Sequence, residues 1–170
     1  MNFPIRKISA TTPDKVNGKF VKFRKGDCLG IKINDRYLAA LITEKFNKYY
    51  DLTLIQYYNE TSPTLTDFLE GKFFGTRFGS WEELAYASDR RMIECKLIDN
   101  SLAIELVGRL DLVENIIKAS YGYEKTIEDL YQFYEYELPI RIEKTNNAEK
   151  FPDLAFVSNH LVEVKNILTS

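Results

Sequence analysis

Between Lys19 and Tyr58 the chain reads KFVKFRKGDCLGIKINDRYLAALITEKFNKYYDLTLIQYY, and its apolar residues recur with a period of two in one run after another. That period belongs to strands, whose side chains point to alternate faces. Val21 and Phe23 fall on one face with Phe20, Lys22 and Arg24 on the other, and Lys25-Gly26-Asp27 supplies turn residues. Leu29, Ile31 and Ile33 then alternate with Cys28, Gly30 and Lys32. A glycine inside a strand marks a bulge or a close backbone approach, so Gly30 predicts strong curvature. Asn34-Asp35 follows with short Asx side chains that tolerate turn dihedrals. Tyr37–Thr43 is apolar on both faces, as for a strand enclosed by a barrel or covered by a helix. Leu52–Tyr58, rich in β-branched and aromatic residues, completes four short strands. The fold class this predicts is α+β: a small, curved antiparallel SH3-like sheet or partly closed barrel, with helices from the C-terminal third packed on it.

The flanking segments are read by the same signals. Residues 1–18 read as an arm or edge strand, with Thr11-Thr12-Pro13-Asp14 and Asn17-Gly18 as turn formers. Leu65, Phe68 and Leu69 share one helix face and Gly71 follows as a stop, which predicts a helical turn over Leu65–Leu69. Ser80-Trp81-Glu82-Glu83 fits a capping box and predicts a short helix from Trp81 to Ala87. From Arg91 the period returns to two. Ile93, Cys95 and Leu97 would form one strand, Asp99-Asn100-Ser101 a turn, and Leu102, Ile104 and Leu106 the returning strand of a second hairpin.

Asp111 could cap a helix through Leu112, Val113, Ile116 and Ile117, ending near Gly122. Thr126-Ile127-Glu128-Asp129 opens another, with Ile127, Leu130, Tyr131, Tyr134 and Leu138 on one face and Pro139 as its stop. Leu154–Val157 reads as a strand, and Leu161–Leu168 fits a strand or a terminal helix. The organisation expected is a single domain over residues 1–170, with a β-rich core at 19–107, a helical segment at 111–138 and a C-terminal appendage at 139–170.

A chain of 170 residues can bury roughly 70% of the surface it exposes when unfolded, so it needs no disulfide or metal to fold. Its 23 basic and 25 acidic residues give a formal charge of −2, without the global basic excess of a nucleic-acid binder. Cys28 and Cys95, among apolar neighbours on predicted strands, read as buried reduced thiols. No stretch approaches the roughly 20 apolar residues of a membrane span, and MNFPIRKISATTPDK lacks the apolar core of a secretory signal. Cytoplasmic residence and no membrane partner are the expectations.

The residues available for chemistry are few. One histidine, His160, cannot make a three-histidine zinc site, and the two cysteines lack the spacing of a zinc knuckle. His160 reads as a loop residue after Ser158-Asn159. No nucleophile elbow, P-loop or dinucleotide glycine fingerprint occurs, and Gly26-Asp27 and Gly75–Gly79 read as turns. No cofactor or metal is predicted. A hydrolase working through a pair of carboxylates stays open as an alternative, although no spacing singles out two of the 25 acids. A second alternative rests on Lys19, Lys22, Arg24 and Lys25, interleaved with Phe20 and Phe23 as in a small-barrel nucleic-acid binder. Lysines also protect solvated strand edges, and the overall charge disfavours nucleic acid as a partner.

The aromatic content is high, with eleven Tyr and eleven Phe, and part of it is concentrated with acid. Tyr121–Glu137, YGYEKTIEDLYQFYEYE, carries five carboxylates and five tyrosines beside one lysine. On the predicted helix, Glu128, Asp129, Gln132, Glu135 and Tyr136 lie on or beside the face opposite the apolar stripe. They are the candidate partner-binding residues. Two readings compete: a solvated acidic face, or an anionic patch with aromatic anchors that draws in a basic partner by electrostatic steering.

The run KGDCLGIKINDRYLAALI from Lys25 to Ile42, followed by Leu52–Tyr58 and Thr64–Leu69, resembles the opening of the immunity protein 26 family. There, a basic residue and Gly-Asp precede a strand, an aromatic follows the turn, and the next strand leads into an acid-containing loop. Gly26, Asp27 and Tyr37 carry the likeness, which covers the first half of the chain and stops before residue 100. It implies an intracellular antidote to a polymorphic toxin, acting by tight binding to a cognate protein toxin, without chemistry of its own. Basic nucleases are one class of such toxins. The expected function is therefore a non-enzymatic binding protein.

Overall fold

The structure is a computed structural model, and it describes residues 15–16, 19–20, 22–79, 84–114, 116–137, 140, 143 and 157–169. Two short strands, β1 (Lys15–Val16) and β2 (Lys19–Phe20), pair with each other. Eight more form one sheet: β3 (Asp27–Ile33), β4 (Arg36–Phe46), β5 (Tyr49–Asn59), β6 (Lys72–Gly79), β7 (Leu84–Glu94), β8 (Ile104–Arg109), β9 (Ile117–Glu124) and β10 (Val157–Glu163). Its order is β10-β6-β7-β5-β4-β3-β8, with β9 added alongside β7. Every pairing is antiparallel except that of β9 with β7. The sheet is not closed, and with its short helices the fold is α+β in the broad sense.

The meander read from the sequence is present as β3, β4 and β5. Asn34 (φ 51°) and Asp35 (φ 64°) both adopt the left-handed conformation, the pair that a tight hairpin turn matching the strand twist requires. Gly30 is the site of a close approach: a Cβ there would lie 3.2 Å from Pro63 Cδ and 3.2 Å from Glu105 Oε1. The register irregularity between β3 and β8 falls nearby, at Cys28 and Leu29. Leu38–Thr43 is buried at every position, so β4 is covered on both sides as its composition predicts.

The covering layers follow from alternation along the strands. Leu29, Ile31, Leu38, Ala40, Ile42, Leu52 and Leu54 face one side, where Cys95 and Ile98 of helix α2 (Cys95–Asp99) and Leu130 of helix α3 (Asp129–Gln132) cover them. Cys28, Ala39, Leu41 and Ile55 face the other side. There, Phe68 of helix α1 (Leu65–Leu69) and Val164 and Ile167 of a 3₁₀ turn (Val164–Ile167) close the core. Each such buried Leu, Ile or Phe contributes about 1.5–3 kcal/mol by leaving water. Thr64 caps α1 reciprocally with Asp67, which explains why so short a helix has a defined start.

Several expectations are corrected. Ile93, Cys95 and Leu97 do not form one strand, because β7 ends at Glu94 and Cys95–Asp99 is helical. Cys95 and Ile98, three residues apart, then face the core together, while Leu102 lies fully in solvent. The returning strand β8 consequently crosses to the far edge beside β3 instead of pairing with its neighbour in sequence. Leu84–Ala87, expected in a helix, belongs to β7, and Gly75 and Gly79, expected in a turn, belong to β6; Ser80–Glu83 lie outside the described residues.

The predicted helix after Asp111 is replaced by an extended segment and β9, whose Ile117–Glu124 pairs with Ala87–Ile93 of β7. His160 sits within β10 opposite Gly75, in a strand and not a loop. Leu161–Leu168 divides between the two options open to it, ending β10 and entering the 3₁₀ turn. The expected small barrel thus gives way to a larger open sheet, because β6, β7 and β10 extend the meander on one side and β8 on the other.

Although the sheet stays open, the segments leaving its terminal strands meet. Leu112 and Leu168 form an antiparallel bridge. Val113 N donates to Ile167 O at 2.8 Å and Thr169 N to Asp111 O at 2.9 Å.

Candidate functional site

The acidic aromatic segment can be built up from the sheet beneath it. Asp129 accepts from Lys125 N at 3.2 Å and from Thr126 N at 3.0 Å, so its carboxylate works as a cap at the entrance to α3. After Gln132 the helix widens into a π-helical turn, Phe133–Glu137. Such turns are rare and change the phase of the side chains that follow. Here Tyr134 faces the sheet and donates its hydroxyl to Ile55 O, while Glu135 and Tyr136 are both exposed.

Tyrosine rings hold the segment down. Tyr58 of β5 lies 5.6 Å from the Tyr131 ring and 5.7 Å from the Tyr134 ring, and Phe74 of β6 meets Tyr134 edge-on at 5.5 Å. Arg36 sits 5.1 Å from the centre of Tyr58 and donates to its carbonyl at 3.3 Å. Burial raises the Tyr134 phenol well above the ordinary range. The Tyr131 phenol is pushed up to about 12, first by its hydrogen bond with Tyr58 and then by Glu135. Both hydroxyls are therefore neutral donors at physiological pH.

Of the five residues singled out from sequence, Glu128, Gln132, Glu135 and Tyr136 are exposed along one surface, and Tyr136 retains 62% of its area in water. Asp129 is half-buried and committed to the cap. The geometry gives a surface with two exposed carboxylates, one amide and one projecting ring, set on a layer of tyrosines.

The other candidates fall out differently. Lys22, Arg24 and Lys25 lie in the loop before β3 and not on a strand face, and Phe23 is buried. Lys22 stacks at 5.3 Å over Phe23, and Lys25 Nζ donates to Val113 O and Glu114 O at 3.0 Å each. A strip of rings alternating with cations is therefore not formed by these residues. Cys28 and Cys95 are both buried free thiols. Burial raises Cys28 well above the usual thiol range and pushes Cys95 up to about 12, which leaves both in the unreactive thiol form. Among the described residues no three His, Cys, Asp or Glu side chains gather as a metal-ligand group.

Sequence reasoning missed a second place. Asp27, fully buried, accepts from Arg24 N at 2.9 Å through Oδ2 and pairs through Oδ1 with Arg109 Nε at 3.2 Å. The pair ties the start of β3 to the end of β8, at the wall of a groove. Only Gly26-Asp27 was visible beforehand, as a turn, because Arg109 is far away along the chain.

The chain finds no match among known protein families, among curated proteins or among solved structures.

Proposed function

We propose that this chain is a binding protein without chemistry of its own, an immunity protein that neutralises a cognate toxin by covering part of its surface. The observation that carries this reading is the exposed face of Glu128, Gln132, Glu135 and Tyr136, set on the layer of Tyr58, Tyr131 and Tyr134. A preorganised surface loses little conformational entropy on binding, and exposed carboxylates beside an aromatic ring suit a basic partner. The resemblance of Lys25–Ile42 to the opening of the immunity protein 26 family, read from Gly26, Asp27 and Tyr37, is what suggests a toxin as that partner. The β3–β4–β5 meander is the portion to which an SH3-like description applies. Cytoplasmic residence and a basic nuclease as the toxin belong to the same proposal.

The test is a binding titration against the product of the adjacent reading frame, at low and high salt. The double variant Glu128→Lys with Glu135→Lys should weaken binding at least tenfold at low salt, and by less as salt screens the charges. Affinity unchanged at both salt concentrations would clear this face of any role.

A further inference from the structure

On the sheet face opposite α3, three chain segments converge where the exits from the terminal strands meet. Arg24 and Lys25 before β3, Arg109 at the end of β8 with Leu110, Asp111, Leu112 and Glu114 after it, and Thr169 after the 3₁₀ turn line a groove of about 690 Å³. That is within the range of small-molecule sites. We propose that this groove binds a small oxyanion, a carboxylate or phosphate group, with Leu110 and Leu112 accommodating a short apolar tail.

Buried Asp27 forms an ion pair with Arg109, Oδ1 to Nε at 3.2 Å, and the guanidinium stays 15% exposed at the groove wall. A guanidinium offers parallel N–H donors that match planar or tetrahedral oxyanions. Gly26 makes the turn that brings Arg24 and Lys25 alongside: its φ is +93°, and a Cβ there would run into Leu110 O. Lys25 spends two of its three ammonium donors on Val113 O and Glu114 O, which positions the third. Asp111 and Glu114 also line the groove, exposed to water as Lys25 is, and with Asp27 they match the three cations in formal charge, so an anion is held weakly and by directed hydrogen bonds.

The experiment titrates the intact chain with inorganic phosphate and, separately, with butyrate, following backbone amide resonances. Saturable shifts centred on Gly26, Asp27, Leu110 and Leu112, with affinity reduced about tenfold in Arg24→Gln, would support the site. That variant keeps the Asp27–Arg109 pair, and Lys25→Met is a second one that does so. Preference for phosphate or for butyrate then distinguishes the two sources of oxyanion. No saturable shift with either probe, or affinity in both variants equal to that of the unsubstituted chain, would overturn the proposal and leave Asp27–Arg109 as a tie between strands only.

Discussion

Replacing Tyr50 with phenylalanine removes one oxygen atom and two hydrogen bonds. The ring is fully buried, and its hydroxyl donates to Asp99 Oδ1 at 2.6 Å while accepting from Phe23 N at 3.0 Å. That single atom joins β5 to the last turn of α2 and to the loop that precedes β3. A bond to a charged acceptor contributes about 1.5–3 kcal/mol and a neutral one about 1 kcal/mol. Asp99 is half-exposed, so water replaces part of its lost bond, and the expected destabilisation is about 2–3 kcal/mol. In a chain of this size that lowers the melting temperature by roughly 5–10 °C. Urea titration should show a lower midpoint with an unchanged slope. Combining Tyr50→Phe with Asp99→Ala should show a coupling of roughly 1–2 kcal/mol. A loss under about 0.5 kcal/mol, or fully additive variants, would refute the claim that this hydroxyl fastens α2 to the sheet.

Further outcomes follow from the same structure. Gly26→Ala forces a left-handed φ on a residue with a side chain and drives its Cβ into Leu110 O, so urea titration should register a loss of at least about 2 kcal/mol. Leu130→Ala empties a fully buried position under α3 and should cost about 2–5 kcal/mol, with faster hydrogen exchange over residues 129–137. Burial raises Cys28, Cys95 and Tyr50 in the folded state, so the unfolded chain releases those protons first. Stability should hold at lower pH and fall once pH exceeds about 9, checked by urea midpoints across the alkaline range. By the same burial, both thiols should resist a soluble disulfide reagent until the chain unfolds.

Much of the candidate surface was legible because it is local. Leu130, Tyr131 and Tyr134 pack on the sheet while Glu128 and Glu135, on either side of α3, are exposed, and their spacing in the chain shows this without a distant partner. The π-helical turn was not legible, since it arises where Tyr134 must reach Ile55 O. The segment Ile93–Ile98 shows why apolar alternation alone misleads. Ile93, Cys95 and Leu97 fit a period of two, Cys95 and Ile98 fit a helical turn, and Asp99 held by Tyr50 accompanies the second. Leu112–Ile117 misled in the opposite direction, because the pairing that makes Ile117–Glu124 a strand is with β7.

By itself, then, the sequence determined the β3–β4–β5 meander, its Asn34-Asp35 turn, the capped α1 and the exposed acids flanking α3, all of which depend on neighbours within a few residues. Tertiary structure alone decided that β8 lies beside β3, that β9 runs parallel to β7, and that Asp27 meets Arg109 at a groove. Those contacts join residues far apart in the chain, and their register is set by which buried faces can be covered together; no local period encodes it.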